Sequence, residues 1–316
     1  MKALTFSEFG GPDVLRWNEL PDPVPGPGQA LVRLRAIGLN FADVYRRQGR
    51  YHLRGEPPYV AGYEGAGVVV SAPPGSGFGP GDRVGFADAP FANAELAAVD
   101  CGRLIPLPAA IDAETAAAAL LQGLTAQFLA CDSHPLAAGE TALVHAAAGG
   151  VGGLLMQWGV ARGARMIGLT SSEAKAAVLR AQGAEVLVSP PGVEPSLTGL
   201  PPLDVVYDST GTTVLDSLAQ VRTGGTVVFY GMAGGTPPPV PPSVLMDGSK
   251  RLVGGDLWNV LTGAEERRRR AGELFRLIAS GRLRVPVAAR FPLSEGAAAH
   301  ALIEARGTVG KILLIP

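Results

Sequence analysis

Short apolar runs separated by proline- and glycine-rich turns fill the first hundred residues, and they predict a succession of β-strands. The predicted strands lie at residues 3–6, 29–37, 64–71 and 83–86, with a loop at 20–28 and a turn region at 75–81. Many short strands at this spacing favour a β-rich, barrel-like domain.

From residue 112 the pattern changes to apolar strands that alternate with helices. An alanine-rich helix is predicted from about Asp112 to about Leu129. Strands follow at 142–144, 165–169, 185–188, 205–208, 225–230 and 252–255, with helices at 152–162 and 173–182. A loop at 237–242, a helix at 265–280 and strands near 288 and at 311–315 complete the pattern. This alternation predicts an α/β fold with a parallel, doubly wound sheet.

Composition and charge narrow the class of protein. The 316 residues are 47% hydrophobic with a net charge of −1, so nothing favours binding to nucleic acid or to an anionic membrane. No apolar stretch reaches the ~20 residues of a membrane helix, and we expect no signal peptide. The two cysteines, Cys101 and Cys131, are too few for a disulfide framework, so we expect a cytoplasmic protein.

The segment TALVHAAAGGVGGLLMQ at residues 141–157 carries the strongest functional pattern. A strand, a turn of small residues and a helix follow one another, as in the βαβ unit that binds dinucleotides. Gly149 would let the turn tighten, and Gly152 would let the helix lie close to its strand. Ala146 stands where the commoner fingerprint has its first glycine, and an ordinary turn is the alternative interpretation. The predicted nucleotide contacts of this segment are Ala147, Gly149, Gly150, Val151 and Gly152.

The end of the second strand bears on the choice of cofactor. NAD-specific folds carry an acidic residue about 20 positions after the fingerprint. This chain has Thr170 and Ser171 there, and Lys175 follows within one helical turn. Hydroxyls and a lysine would hold a 2′-phosphate, so we predict NADPH rather than NADH. Glu173 argues the other way unless it balances its helix dipole, and Lys175 could also be a solvated helix residue.

Residues for metal or nucleophilic chemistry do not converge along the sequence. The four histidines, at 52, 134, 145 and 300, lack ligand spacing, and neither cysteine belongs to a C-x-x-C pair. We therefore expect no metal site, and we interpret His145, before the glycine turn, as structural. No G-x-S-x-G motif is present, so the sequence does not predict a hydrolase triad.

Eight segments in order resemble the medium-chain dehydrogenase/reductase superfamily, and within it the zinc-free quinone oxidoreductase branch, which includes zeta-crystallin-like NADPH:quinone reductases. They are IGLNFADVYRRQGRY (37–51), VAGYEGAGVV (60–69), GDRVGF (81–86), QGLTAQFL (122–129), VHAAAGGVGGLLMQ (144–157), DVVYDSTG (204–211), GGTVVFYG (224–231) and GKILLIP (310–316). The resemblance covers essentially the whole chain.

Zinc-dependent members of the superfamily differ from this chain. They carry a catalytic cysteine where this chain has Asn40, and a histidine where it has Tyr63. Their cysteine-rich structural-zinc lobe would follow residues 81–84, where this chain has no cysteine. The resemblance therefore implies an enzyme that works without zinc. Ser189 departs from the quinone branch itself, since many members carry a tyrosine near the adenine at that position.

The resemblance also implies an architecture. It divides the chain into a discontinuous GroES-like catalytic domain, residues 1–122 and 258–316, and a Rossmann dinucleotide-binding domain, residues 123–257. The nicotinamide would lie in the cleft between them. A homodimer would form through an edge strand that begins at Leu252 and ends at Gly255, although this strand could equally be buried within one chain.

Several site residues follow from the resemblance. Asn40 would form a hydrogen bond to the cofactor or the acceptor, and Tyr45 and Tyr51 would shape the acceptor pocket, with a loop-filling role as the alternative for Tyr51. The further cofactor contacts that it implies are Thr125, Ser189, Thr210, Tyr230, Gly231 and Met232.

The activity implied first is NADPH-dependent reduction of a quinone, a small molecule that accepts hydride with little acid assistance. Without a metal, the protein would act by positioning and hydrogen bonds. Reduction of an activated carbon–carbon double bond, as in 2-alkenals or enoyl thioesters, is the alternative from related branches. A non-catalytic NADPH-binding protein, like relatives that serve as lens crystallins, is a third possibility.

Overall fold

The computed structural model describes residues 1–190, 192–193 and 195–316, and the chain divides into two compact units. The first unit contains residues 1–121, 261–281 and 285–316, and the second contains residues 122–260 and 282–284. Every helix among the described residues is too short or too polar to cross a bilayer.

The strands are β1 (Lys2–Phe6), β2 (Arg16–Glu19), β3 (Gln29–Leu39), β4 (Tyr59–Val60), β5 (Glu64–Ser71), β6 (Arg83–Ala87), β7 (Leu96–Asp100), β8 (Ile105–Pro106), β9 (Thr141–Val144), β10 (Arg165–Thr170), β11 (Glu185–Val188), β12 (Leu203–Asp208), β13 (Val221–Phe229), β14 (Arg251–Gly254), β15 (Val287–Pro292) and β16 (Lys311–Ile315). The α-helices are α1 (Phe41–Arg47), α2 (Ala113–Phe128), α3 (Gly150–Ala161), α4 (Glu173–Arg180), α5 (Val214–Gln220), α6 (Pro242–Asp247), α7 (Leu257–Val260), α8 (Ala264–Ala279) and α9 (Gly296–Glu304).

The second unit is built on a six-stranded sheet in which all neighbouring strands run parallel. Its strand order is β11-β10-β9-β12-β13-β14. Numbered along the unit, this is the 3-2-1-4-5-6 order of the dinucleotide-binding folds. Leu143 of β9, Ile167 of β10 and Val206 of β12 are completely buried, because parallel sheets are covered by helices on both faces. The predicted doubly wound sheet is confirmed.

The first unit contains two sheets with mostly antiparallel pairing. A three-stranded sheet has the order β2-β1-β4, and a seven-stranded sheet has the order β15-β16-β3-β5-β6-β8, with β7 also paired to β3. The eleven-residue β3 pairs with β16, β5 and β7, so the last strand of the chain completes a sheet begun near its start. Val32, Phe86 and Leu314 lie in its apolar core. The predicted β-rich domain is confirmed as well.

Several predicted boundaries are wrong by a few residues. The helix predicted from residue 152 begins at Gly150, because extended Gly149 caps it. The strand predicted at 225–230 spans Val221–Phe229, and the edge strand ends at Gly254 rather than Gly255. The predicted loop at 237–242 ends one residue earlier, since Pro242 opens α6, a position that proline tolerates.

The sequence pattern leaves several strands and helices unpredicted, most of them short. These are β2, β4, β7, β8, α1, α5, α6, α7 and α9. Helix α1 illustrates the reason: it has only seven residues and buries Asp43, Arg46 and Arg47 together with Val44. Because α1 buries charged side chains, its sequence lacks the apolar stripe from which an amphipathic helix is predicted.

Candidate functional site

The loop between β9 and α3 brings backbone N–H groups to the carboxyl edge of the parallel sheet. Gly149 is the N-cap of α3, so the helix starts with its free N–H groups at this edge. Ala146 has a φ of 50°, in the left-handed region that favours glycine. The loop therefore takes the conformation of the commoner fingerprint although alanine replaces its first glycine. The Ala147 N–H donates to the Leu169 carbonyl at 3.1 Å and ties the loop to β10.

Close backbone contact makes glycine necessary at position 152. A Cβ atom there would lie 2.5 Å from the carbonyl oxygen of Ala146 and 2.9 Å from the Cα atom of Ala147. The helix therefore approaches the loop itself rather than the strand before it. The first turn of α3, which includes Gly150 and Val151, also lies against α2: a Cβ atom at Gly150 would overlap the Gln122 side chain.

Thr125, another predicted cofactor contact, belongs to α2 and is half-buried. It follows Gln122 by three residues, and residues three apart lie on the same face of a helix. Gln122 faces the first turn of α3, so Thr125 lies on the face of α2 that is turned toward the phosphate-binding loop.

The residues predicted to hold the 2′-phosphate lie together after β10. Lys175 Nζ is 3.2 Å from Ser171 Oγ. Thr170 ends the strand and is buried, and the Ser189 N–H donates to its carbonyl at 2.9 Å, which places Ser189 beside it. A hydroxyl and an ammonium group at this distance can bind one phosphate together.

Glu173, the residue that argues against a phosphate here, is engaged elsewhere. Its Oε2 atom is 2.6 Å from Nη1 of Arg180, two turns further along α4. The ion pair offsets the carboxylate charge, although the exposure of both groups keeps the pairing weak. The Lys175 ammonium group therefore contributes the positive charge that faces Ser171.

A second buried centre follows β12. Asp208 is the last residue of this strand and is completely buried. Its Oδ1 atom accepts hydrogen bonds from the N–H groups of Thr210 and Gly211 at 2.8 and 3.0 Å. Its Oδ2 atom accepts hydrogen bonds from the hydroxyls of Thr213 and Ser217 at 2.7 and 2.8 Å. The carboxylate thus fixes the loop that contains Thr210.

His145 lies against the same hydroxyls. Its Nδ1 is 3.4 Å from Thr213 Oγ1, and its Nε2 is 3.3 Å from Ser217 Oγ. Burial lowers the pKa of His145, while the nearby charge of Asp208 works in the opposite direction. His145 thus connects the strand before the phosphate-binding loop to α5.

The loop after β13 contacts the loop after β12. The Tyr230 N–H donates to the Asp208 carbonyl at 3.0 Å, and a Cβ atom at Gly231 would lie 2.9 Å from the Ser209 carbonyl oxygen. The Cα atom of Met232 similarly lies close to Gly211. The predicted cofactor contacts at Thr210, Tyr230, Gly231 and Met232 therefore share the carboxyl edge with the phosphate-binding loop, since all these strands are parallel.

In the first unit, Asn40 lies in a buried polar cluster. Its Nδ2 donates to Glu64 Oε2 at 2.8 Å and to the Gly38 carbonyl at 3.1 Å, while its Oδ1 accepts a hydrogen bond from Lys311 Nζ at 2.8 Å. Lys311 also pairs with Glu64 at 2.7 Å, and both side chains are at most 1% exposed. The Leu121 N–H donates to the other Glu64 oxygen at 2.7 Å. Asn40 is thus held by a buried ion pair.

Helix α1 connects this cluster to the predicted tyrosines. Asn40 caps the helix, and Asp43 accepts a hydrogen bond from the Asn40 N–H at 3.0 Å. Asp43 also pairs with Arg46 at 3.2 Å; burial raises the pKa of Asp43, and the Arg46 charge opposes that rise. The Arg46 guanidinium carbon lies 3.5 Å from the ring centre of Tyr63 and 5.0 Å from that of Tyr51. These cation–π contacts hold Tyr51 near the helix.

Tyr45 and Tyr51 are both half-buried in the first unit. The Tyr45 ring lies 6.2 Å from that of Phe41, within α1, and the Tyr51 ring lies 3.9 Å from that of His52. The Tyr63 hydroxyl accepts a hydrogen bond from the Arg54 N–H at 3.1 Å, and burial raises the pKa of Tyr63. Tyr63 therefore helps to hold the loop that follows Tyr51.

Sequence reasoning missed the charged residues that organise both centres. These are Asp43, Arg46, Glu64, Asp208 and Lys311. Glu64, Asp208 and Lys311 each lie at the end of a buried strand, such as Lys311 before ILLI and Asp208 after VVY, whereas Asp43 and Arg46 lie in the short helix α1. A charge next to a buried strand is a sequence feature that could have indicated Glu64, Asp208 and Lys311, because such charges are rarely buried unless paired.

Comparison with known proteins places the chain in a family. Residues 26–138 match the family described as alcohol dehydrogenase GroES-like domain, and residues 193–314 match the family described as zinc-binding dehydrogenase. Asn40 and Tyr63, the two positions where zinc-dependent relatives would carry ligands, lie within the first match and outside the second. Within the described residues, no group of three or more histidine, cysteine or acidic side chains could hold a metal ion.

Relatives that match over the full length of the chain define its family more narrowly than the two domain matches do. The chain is 39% identical over 326 residues to the quinone oxidoreductase of Pseudomonas aeruginosa, covering 100% of this chain and 99% of the relative. It is 37% identical over 330 residues to a 2-haloacrylate reductase from a Burkholderia species, covering 99% and 98%. The solved structure of Escherichia coli quinone oxidoreductase complexed with NADPH superposes with a TM-score of 0.94 at 35% identity, with 100% of both chains covered. The chain therefore belongs to the quinone oxidoreductase branch of the medium-chain dehydrogenase/reductase superfamily.

Proposed function

We propose that this protein uses NADPH to reduce quinones or similarly activated acceptors by hydride transfer, without zinc. The observation that carries the proposal is the carboxyl edge of the parallel sheet. There the start of α3 presents backbone N–H groups, and Ser171 and Lys175 lie 3.2 Å apart at the end of the next strand. The first feature suits a pyrophosphate and the second a 2′-phosphate.

The residues present fit this cofactor. Gly152 lets the start of α3 lie directly against the loop, so the backbone N–H groups of the first helical turn lie at the carboxyl edge, where a pyrophosphate would bind. We assign the cofactor to residues 123–257, with contacts from the phosphate-binding loop, Thr125, Thr170, Ser189 and the loops after β12 and β13. NADPH supplies the hydride when it is bound. Lys175 and Ser171 would hold its 2′-phosphate, and the fixed loops would orient its other half.

Replacing Lys175 by alanine is expected to weaken NADPH binding much more than NADH binding. The lost charge-assisted contact is worth about 1.5–3 kcal/mol, which corresponds to roughly a 10- to 150-fold rise in the dissociation constant. Fluorescence titration with both cofactors measures the two constants. Lys175→Arg is the control, since it keeps the charge and should keep most of the preference. Equal effects of Lys175→Ala on NADPH and NADH would contradict the assignment.

On the acceptor side, we propose that Asn40, Tyr45 and Tyr51 act by position and hydrogen bonding. Independence from zinc is supported by what occupies the two positions that hold ligands in zinc-dependent relatives. Asn40 is engaged with Glu64 and Lys311, and the Tyr63 ring lies under the Arg46 guanidinium group. Neither side chain is a metal ligand of the kind that zinc prefers.

Turnover with graded acceptors tests the function. We expect NADPH oxidation with quinones at rates that rise with the reduction potential of the quinone, and no loss of activity after treatment with a chelator. A phenol that merely assists should contribute no more than about 10²-fold, so Tyr45→Phe should slow turnover moderately. One zinc per chain with loss of activity on chelation would refute the zinc-free mechanism, and absence of turnover with every acceptor would leave a non-catalytic NADPH-binding protein.

A second candidate activity is reduction of an activated carbon–carbon double bond. The full-length similarity to a 2-haloacrylate reductase favours it, because that relative is almost as similar to the chain as the quinone oxidoreductase. The same assay with 2-alkenals, 2-haloacrylate and enoyl thioesters distinguishes the two activities. Much faster reduction of these alkenes than of any quinone, together with loss of activity in Tyr45→Phe, would favour this second activity.

We also infer a homodimer through β14. This strand ends the six-stranded sheet, and Leu252 and Val253 on it are only half-buried. An edge strand offers backbone groups that can pair with a second copy. Sedimentation equilibrium should give twice the chain mass, and Val253→Arg should shift it toward the monomer; a monomeric parent protein would contradict the inference. The cytoplasmic location stays a prediction.

A further inference from the structure

Two loops meet at the switch point of the parallel sheet. In the order β11-β10-β9-β12-β13-β14, the chain leaves β9 toward one side and continues from β12 toward the other. Ligands of doubly wound sheets bind at this point. The loop after β9 begins at His145, and the loop after β12 begins at Ser209. One buried cluster, formed by His145, Asp208, Thr213 and Ser217, connects the two loops.

Asp208 uses its full hydrogen-bonding capacity in this cluster. Each carboxylate oxygen accepts two hydrogen bonds, one oxygen from backbone N–H groups and the other from hydroxyls. All four donors are neutral groups, and the carboxylate is completely buried. In an asparagine at this position, the amide NH₂ group would face either the two backbone N–H groups or the two hydroxyl donors. Since it cannot accept their hydrogen bonds, the loop could not keep its conformation.

His145 extends the cluster to the phosphate-binding loop. The hydroxyl hydrogens of Thr213 and Ser217 are directed to Asp208, so each hydroxyl oxygen is left as an acceptor. A neutral imidazole has one N–H, so His145 donates to one of these two oxygens at a time. The His145 N–H of the backbone also donates to the Tyr207 carbonyl at 3.0 Å. The imidazole thus lies between β9 and the start of α5, and it sets the spacing of the two loops.

The position of the cluster relative to the cofactor follows from the sheet. The adenosine half of a dinucleotide lies toward the second strand of the unit, which is β10, where Ser171 and Lys175 follow. Its other half must then lie on the opposite side of the switch point, over the ends of β12 and β13. The loop that Asp208 fixes, with Thr210 and Gly211, is on that side.

We infer that Asp208, together with His145, Thr213 and Ser217, is a positioning cluster for the nicotinamide half of the cofactor. Asp208 holds the N–H groups of Thr210 and Gly211, and through them the loop that faces the nicotinamide ribose and ring. The inference rests on the proposed binding of NADPH, and it assigns separate residues to the two halves of the cofactor.

Comparison of two ligands tests the inference. NADPH contains both halves, whereas 2′,5′-ADP contains only the adenosine half with its 2′-phosphate. Asp208→Asn should raise the dissociation constant of NADPH about tenfold or more, because a buried charged hydrogen-bond acceptor is lost. The dissociation constant of 2′,5′-ADP should stay unchanged. A general loosening of the fold would weaken both ligands alike.

Two further variants keep the test decisive. Asp216→Asn makes the same chemical change at an exposed position of α5 and should change neither constant. Thr213→Val serves as the test if Asp208→Asn does not fold. It removes one donor to Asp208 and keeps the shape of the side chain, so it should raise the dissociation constant of NADPH by a smaller factor and leave that of 2′,5′-ADP unchanged. Equal weakening of both ligands, or no weakening of NADPH, overturns the positioning role. Failure of the parent protein to bind NADPH at all would instead overturn the proposed function.

Discussion

Replacing Glu64 by glutamine is expected to lower the free energy of unfolding by about 3–5 kcal/mol, since it breaks a buried ion pair by removing one partner. One Glu64 oxygen accepts hydrogen bonds from Lys311 and Asn40, and the other accepts one from the Leu121 N–H. A glutamine NH₂ group would therefore face a donor in either orientation of the amide. Urea unfolding followed by circular dichroism measures the effect.

An exposed ion pair provides the matched control. Glu114 pairs with Arg290 at 2.7 Å, with side chains 42% and 54% exposed, and Glu114→Gln should cost less than about 1 kcal/mol. The double variant Glu64→Gln with Lys311→Met should recover part of the stability, because it removes the uncompensated buried charge. If Glu64→Gln were no more destabilising than Glu114→Gln, the buried pair would not hold this part of the first unit together.

Replacing Gly152 by alanine is expected to raise the dissociation constant of NADPH about tenfold or more, because overpacking of this kind costs about 1–3 kcal/mol. The added Cβ atom would lie 2.5 and 2.9 Å from backbone atoms of Ala146 and Ala147, which cannot move away as a flexible side chain could. The phosphate-binding loop must then shift. Fluorescence titration of NADPH, with unfolding measured in parallel, separates lost affinity from lost stability.

The neighbouring glycine supplies the control. At Gly153 the nearest atom to an added Cβ is the Ala147 carbonyl oxygen at 3.5 Å, an ordinary van der Waals contact. Gly153→Ala should therefore leave NADPH affinity unchanged and should keep or improve stability, since alanine favours a helix over glycine by about 0.5–1 kcal/mol. A similar loss of affinity in both variants would show that the close approach at Gly152 is not what matters.

Local sequence determined much of this protein. The fingerprint at residues 141–157 predicted a strand, a turn and a helix, and the structure has β9 and α3 there. The prediction was possible because glycines and apolar runs determine backbone conformation within a few residues of themselves. The alternation of strands and helices predicted the parallel sheet for the same reason. The residues proposed to bind the 2′-phosphate, Ser171 and Lys175, are only four positions apart, on the two sides of the start of α4, so local chain geometry brings them together.

Tertiary structure alone decided the buried polar centres. Lys311 and Glu64 are 247 positions apart, and only the pairing of β3 with both β16 and β5 brings them together beside Asn40. His145 and Ser217 are 72 positions apart and meet because β9 and β12 are neighbours in the sheet. Hydrophobic periodicity identifies which face of an element is buried, but it carries no information on which distant charge will compensate a buried one. That information exists only in the order and register of the strands.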